Sequence, residues 1–187
     1  GIMVDIAKEA FALSGYTLNY ELLNWARAKR QVMAGNIDGI IGMSRDEVSE
    51  VQFFFPKTPL GESQVCFYRR PKEDWNFSSV EDLKNKKFGW INDYGFVSNP
   101  LDSWVKQNKN TENVVTVAGK NVYSRLFQLL KLKRIDTFAE DRNVIAFELK
   151  RQSMLKDIEI ASCLAEIEDV YLAFSLKSEH KETGSKA

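Results

Sequence analysis

Apolar residues Ile2, Ile6, Ala10, Phe11 and Leu13 recur at helical spacing, and Ser14-Gly15 closes the helix they predict. The next stretch changes period. Tyr16, Leu18, Tyr20 and Leu22 alternate with polar neighbours, which predicts a strand over 16–23. A second helix follows from about Trp25 to Ala34 and ends at Gly35-Asn36. Ile37 to Met43 is a short apolar strand suited to burial on both faces. Phe53-Phe54-Phe55 is another short apolar run. The order helix, strand, helix, strand predicts a parallel sheet in this first segment.

The pattern continues with a strand at Gln64–Tyr68, then the charged stretch Arg69 to Asp74, which reads as a crossing between lobes. Ser78 or Ser79 caps a helix start with acids in its first turn. Strands are predicted at 87–92, 114–117, 135–139, 158–161 and 170–175. Helices are predicted from Asn99-Pro100 to about Gln107, over 121–133 and from Asp141 to about Lys150. One scheme occurs in each half. Trp25-Ala26-Arg27-Ala28 through Gly35-Asn36-Ile37-Asp38-Gly39, and Arg134-Ile135-Asp136 through Asp141, both run helix, tight turn, Asp, apolar strand. Two copies imply two similar α/β lobes, and such a chain usually places a ligand in the crevice between them.

Composition narrows the function. The chain has 187 residues, 44% of them hydrophobic and 28% charged, with 26 basic against 26 acidic side chains. That balance gives no general attraction for nucleic acid or anionic membrane. Lys131-Leu132-Lys133-Arg134 reads as the solvated end of a helix, where cations suit the dipole. No apolar run approaches the roughly 20 residues of a membrane span. Cys66 and Cys163 allow one disulfide or two thiols; both lie in apolar, strand-like segments, which favours buried thiols. His180 is the only histidine and sits in a polar tail, so no Ser-His-Asp or Cys-His arrangement forms in the folded part. No Cys/His set has zinc spacing, and no phosphate-cradling glycine motif exists. No metal and no cofactor are expected. The shortage of catalytic groups points away from an enzyme.

A binding site needs only a few charged or hydrogen-bonding groups and aromatic walls. Candidates stand at the C-terminal ends of strands, where strand-to-helix loops gather. Asp141 is either an N-cap or a carboxylate facing a ligand ammonium, and one side chain can be both. Tyr94 and Gly95 follow the 87–92 strand and form either a plain turn or a site whose amides receive an anion. Trp25 and Arg27 follow the 16–23 strand and are either structural or a pair suited to a carboxylate. Arg45, just past Met43, has the same two readings.

These motifs in this order resemble bacterial extracytoplasmic solute-binding proteins of the type II fold, in the polar amino acid group of ABC importers. Gly1-Ile2-Met3-Val4-Asp5-Ile6 is similar to the family's Gly-x-x-x-Asp-Ile helix start, and Trp25 to Gly39 to its first-lobe signature. Val51-Gln52-Phe53-Phe54-Phe55-Pro56 resembles its Val-x-Phe-x-x-Pro segment. Leu83 to Gly89 resembles the second-lobe opening, Lys133-Arg134-Ile135-Asp136 its Gly-Arg-Ile-Asp turn, and Tyr171 to Ser175 the return crossing.

The resemblance implies a two-lobed α/β fold, each lobe a mostly parallel sheet flanked by helices. Residues 1–66 would be an incomplete lobe 1, 67–170 lobe 2, and 171–187 the return crossing and polar tail. Hinge strands would lie near 64–70 and 170–176. It implies a periplasmic protein that captures a small polar solute, an amino acid foremost, for a membrane permease, with neither nucleic acid nor membrane insertion. By the same resemblance Asp141 holds the ligand's amino group and groups near Tyr94-Gly95 receive its carboxylate. One departure is that the Arg of amino-acid-binding members, four residues before Val-x-Phe, is here Glu47, leaving Arg45 or Arg27 to replace it. The other is truncation. The chain opens at Gly1 inside a patterned segment, so a strand and any export signal are expected upstream and first-lobe helices downstream. Rival readings on the same fold are a ligand-sensing domain of a signalling receptor, a periplasmic dehydratase-type enzyme and the effector domain of a cytoplasmic regulator.

Overall fold

A computed structural model describes residues 1–45, 52–92, 94–96 and 99–182. Glu47, Val51 of the Val-x-Phe motif, Asp93 and the tail pair Gly184-Ser185 lie outside the described residues. The chain divides into unit 1, Gly1–Glu62 with Glu168–Ala187, and unit 2, Ser63–Ile167.

Unit 1 opens with helix α1 over Ile2–Leu13, as the spacing predicts. It stops where Gly15 turns to φ 79°, a conformation that glycine adopts without a Cβ penalty. Helix α2, Trp25–Ala34, starts on Asn24, whose side chain accepts from the Arg27 amide at 2.8 Å, and ends on Gly35 at φ 82°. Strand β1 is Gly39–Met43, β2 Phe53–Phe54 and β3 Gly61–Ser63. All three pair with the long return strand, Glu168–Ser175, numbered β9. That strand buries both faces, because successive side chains alternate. Tyr171 and Ala173 join Val32, Ile40, Met43 and Phe53, while Leu172 and Phe174 join Ala7 of α1.

Two sequence expectations fail in unit 1. The predicted parallel sheet is absent from its described pairings. β1 and β2 run antiparallel to β9, since their shared neighbour is the returning chain and not a strand delivered by a helical crossover. Residues 16–23 form no strand either. The segment alternates correctly, but it pairs with no strand of the sheet, whose order is β1-β9-β2 with β3 also on β9. Tyr16, Tyr20 and Leu22 are consequently exposed, and Leu18 alone of that alternating set packs on the α1-side core.

Unit 2 carries a five-stranded sheet in the order β6-β5-β7-β4-β8. Its strands are β4 Val65–Arg69, β5 Phe88–Ile91, β6 Val114–Val117, β7 Thr137–Asp141 and β8 Glu159–Cys163. The expected parallel pairing holds among β6, β5 and β7; β4 is antiparallel to both β7 and β8. One face packs on α4 (Val122–Lys131) and α5 (Arg142–Arg151) through Leu126, Phe127, Leu130, Ile145 and Leu149. The other packs on α3 (Asn99–Asn108) through Leu101 and Val105. The predicted helix start near Ser79 is a short 3₁₀ turn, Val80–Leu83, closed by a reciprocal Ser79–Asp82 capping box. The charged stretch after β4 lies within unit 2. There Arg70 donates to the Leu130 and Ile135 carbonyls at 2.8 and 2.7 Å, satisfying the end of α4.

The buried-thiol expectation is corrected: Cys66 and Cys163 form a disulfide. The two residues face each other across β4 and β8, a register that spacing along the sequence does not reveal.

Gly89, central in β5, carries a packing prediction. A Cβ there would stand 2.6 Å from Ile135 Cδ1 and 2.8 Å from Leu126 Cδ2, both on fully packed side chains. Gly89→Ala is expected to destabilise unit 2 by about 1–3 kcal/mol, the usual range for overpacking. Urea unfolding checks this; an unchanged midpoint would contradict the packing described.

Candidate functional site

Three parallel strands of unit 2 end close together, and the polar groups that follow them converge there. Tyr94 and Gly95 follow β5, Tyr123 stands in the first turn of α4 after β6, and Glu140 and Asp141 close β7. The C-terminal ends of such strands are where α/β folds present ligand-binding groups.

Asp141 is buried and its carboxylate is fully engaged. Oδ1 accepts from the Asn143 and Val144 amides at 2.8 and 2.9 Å, which is the N-cap geometry of α5. Oδ2 accepts from Ser63 Oγ at 2.9 Å and from the Gln64 amide at 3.1 Å. A carboxylate has about four acceptor positions, and all four are used within the unit. Of the two sequence readings for Asp141, the cap is the one these contacts express.

Glu140 points to the other side. Period-two alternation puts it on the sheet face of Phe138, toward α4 and α5. Its Oε1 accepts from the Asp141 amide at 2.8 Å and its Oε2 from Tyr123 Oη at 3.3 Å. The Tyr94 and Tyr123 hydroxyls lie 3.4 Å apart. With Tyr123 donating to Glu140, Tyr94 is left as the donor of the tyrosine pair. Burial pushes the Glu140 carboxyl up to about 7, and the neighbouring Asp141 charge acts in the same direction. Burial likewise raises the Tyr123 hydroxyl far above its ordinary value. Tyr68, cross-strand from Phe138, is buried with its hydroxyl lacking a hydrogen-bond partner among the described residues. Its hydroxyl is raised by burial first, then by the charges of Glu140 and Asp141.

Sequence reasoning picked Tyr94, Gly95 and Asp141 here and missed Glu140 and Tyr123. The structure links Tyr94 to Asp141 through those two residues. The signal was an acid at the strand position that alternation assigns to the core face. Gly95 is exposed, and the nearest atom to a Cβ built on it is Asp102 Oδ1 at 3.9 Å.

In unit 1, Trp25 packs partly buried on the Val32–Met43–Phe53 core, with Lys29 Nζ 5.7 Å from its ring centroid. The Arg45 guanidinium sits 5.0 Å from the Phe55 ring and 4.8 Å from the Tyr171 ring, donating to the Pro56 carbonyl at 2.9 Å. Both rings belong to the core that Trp25 contacts. Cation–π contact on two faces holds the arginine in place. The side chain of Arg27 is exposed on α2.

No family model and no curated protein matches the sequence. Solved structures do. A histidine kinase sensor domain with similarity to periplasmic binding proteins aligns over 100% of this chain and 77% of its own, with TM-score 0.77 and 16% identity. An ancestral arginine-binding protein bound to arginine aligns over 100% and 79%, with TM-score 0.71 and 22% identity. The GluR0 ligand-binding core in complex with L-glutamate aligns over 100% and 80%, with TM-score 0.73 and 17% identity. At these identities the likeness establishes the fold: the chain has the two-lobed α/β architecture of periplasmic-binding-protein-like folds. Among the described residues no helix is long and apolar enough to cross a membrane.

Proposed function

We propose that the protein is an extracytoplasmic solute-binding module that captures a small polar solute, an amino acid foremost, and delivers it to the membrane permease of an ABC importer without transforming it. The observation that carries this reading is the convergence of Tyr94, Tyr123, Glu140 and Asp141 at the C-terminal ends of three parallel strands, in a fold shared with proteins that bind arginine and L-glutamate. The Cys66–Cys163 disulfide supports an oxidising, extracytoplasmic compartment.

A second reading is the ligand-sensing domain of a signalling receptor. The likeness to a histidine kinase sensor domain, at TM-score 0.77, favours it. Both readings require the same reversible capture and differ only in what listens to the loaded form. Stimulation of a reconstituted permease's ATPase by the loaded protein would separate them.

Capture itself is tested by a thermal-shift screen against the amino acids and small carboxylates. A ligand at about a hundred times its Kd adds about 2.7 kcal/mol by mass action. For a chain of this size that corresponds to roughly 5–10 °C in melting temperature. At least one amino acid is expected to give such a shift. If other solutes do so and no amino acid does, the amino-acid assignment fails. If nothing shifts the melting temperature, the binding reading fails with it.

A further inference from the structure

Among the described residues Glu140 is a partly buried carboxylate without a cationic ion-pair partner. The ion pairs found among the described residues join Arg69, Arg70, Lys106, Lys131 and Arg151 to other acids, and none reaches Glu140. The groups around it are acidic or phenolic. Tyr68 approaches from β4, Tyr94 from the loop after β5, Tyr123 from α4 and Asp141 from its own strand. The nearest cation in sequence on α5, Arg142, is exposed and donates to Gln64 Oε1 at 3.2 Å. A second observation stands beside the first. The Tyr68 hydroxyl is on the same sheet face, diagonal to Glu140 in the β4–β7 register, and is buried with no hydrogen-bond partner among the described residues. A partly buried carboxylate with no ion-pair partner among the described residues, next to a buried hydroxyl on which only the exposed Arg142 acts as a cation, is an arrangement completed by a positively charged donor. Asp141 already accepts from Ser63, Gln64, Asn143 and Val144, whereas Glu140 accepts from the Asp141 amide and Tyr123 alone among the described residues.

We propose that Glu140, and not Asp141, receives a cationic group of the solute, an ammonium or guanidinium, flanked by the hydroxyls of Tyr123 and Tyr94. The proposal rests on the solute-binding reading and sharpens it: the solute carries a positive group. It also predicts a direction with pH. The acid form of Glu140 must lose its proton before a cation can pair with it. Affinity therefore rises with pH up to about 7 and levels off above it, with about one proton released per solute bound well below that pH and none well above it.

The test is titration calorimetry on the full chain with L-arginine, L-glutamine and L-glutamate, against succinate and 2-oxoglutarate, which lack an ammonium. Titrations run at about pH 5.5 and about pH 8, with a carboxyl titrating near 7 implying roughly thirtyfold tighter binding at the higher pH. At least one amino acid is expected to bind, with the two ammonium-free acids silent. Glu140→Gln keeps a carbonyl oxygen to accept from the Asp141 amide and turns an NH2 donor toward the Tyr123 hydroxyl oxygen, so the fold is retained. It should weaken binding by about tenfold or more and abolish the pH dependence. Tyr123→Phe, a second variant, should weaken it by about fivefold with the pH dependence intact. If Glu140→Gln binds an amino acid with the affinity and pH dependence of the parent, the inference is wrong and the solute-binding reading stands. The same holds if the ammonium-free acids bind and the amino acids do not. If no probe binds, the inference falls together with the reading beneath it.

Discussion

Cys66→Ala combined with Cys163→Ser is expected to cost about 4–5 kcal/mol of stability. The bond closes a loop with a sequence separation of 97. In the chain-entropy account a loop of about 100 residues is worth about 4.7 kcal/mol, because the cross-link removes conformations from the unfolded ensemble. The native side adds to this. β8 stands at the edge of its sheet with β4 as its only strand neighbour among the described residues, so the covalent bond and the ladder secure the same strand. Alanine suits position 66, which is buried, and serine suits exposed position 163. Denaturant unfolding of the variant and of the parent in reductant should give matching losses. A midpoint unchanged by either treatment would contradict the disulfide's role.

Asp141→Ala is the second large effect, expected at about 2–4 kcal/mol. Losing an N-cap costs about 1 kcal/mol, and stranding the Ser63 hydroxyl and the Gln64 amide adds hydrogen bonds to a charged group worth about 1.5–3 kcal/mol. Asp141→Ser separates the two contributions. A serine still caps α5 but is too short to reach Ser63 and Gln64, so it should recover about 1 kcal/mol of the loss. Unfolding free energies of the three proteins check the ordering. An alanine variant within about 0.5 kcal/mol of the parent would place Asp141 among ordinary surface residues.

Legibility in the sequence followed the range of the interactions involved. α2, capped by Asn24 and Gly35, and the Ser79–Asp82 box are local events, so their residues announced them. The parallel core β6-β5-β7 followed from strand–helix alternation. Residues 16–23 have a strand's pattern and no strand, because pairing depends on a neighbour hundreds of atoms away along the chain. The antiparallel entry of β9 and the facing of Cys66 and Cys163 are likewise decided by tertiary register. At the site, Asp141 stood out because a strand end meets a helix start there. Its saturation by Ser63 and Gln64 was invisible, since those donors come from a distant segment. Glu140 was within reach of the alternation rule, and Tyr123 was hidden inside what read as an ordinary amphipathic helix.

The central claim is reversible capture of an unaltered polar solute. Equilibrium dialysis of the full chain against an amino acid that raises its melting temperature, followed by proton NMR of the solute recovered, tests it most directly. Saturable retention with the solute's spectrum unchanged is the predicted result. A spectrum showing conversion to product, or retention that never saturates, would contradict it.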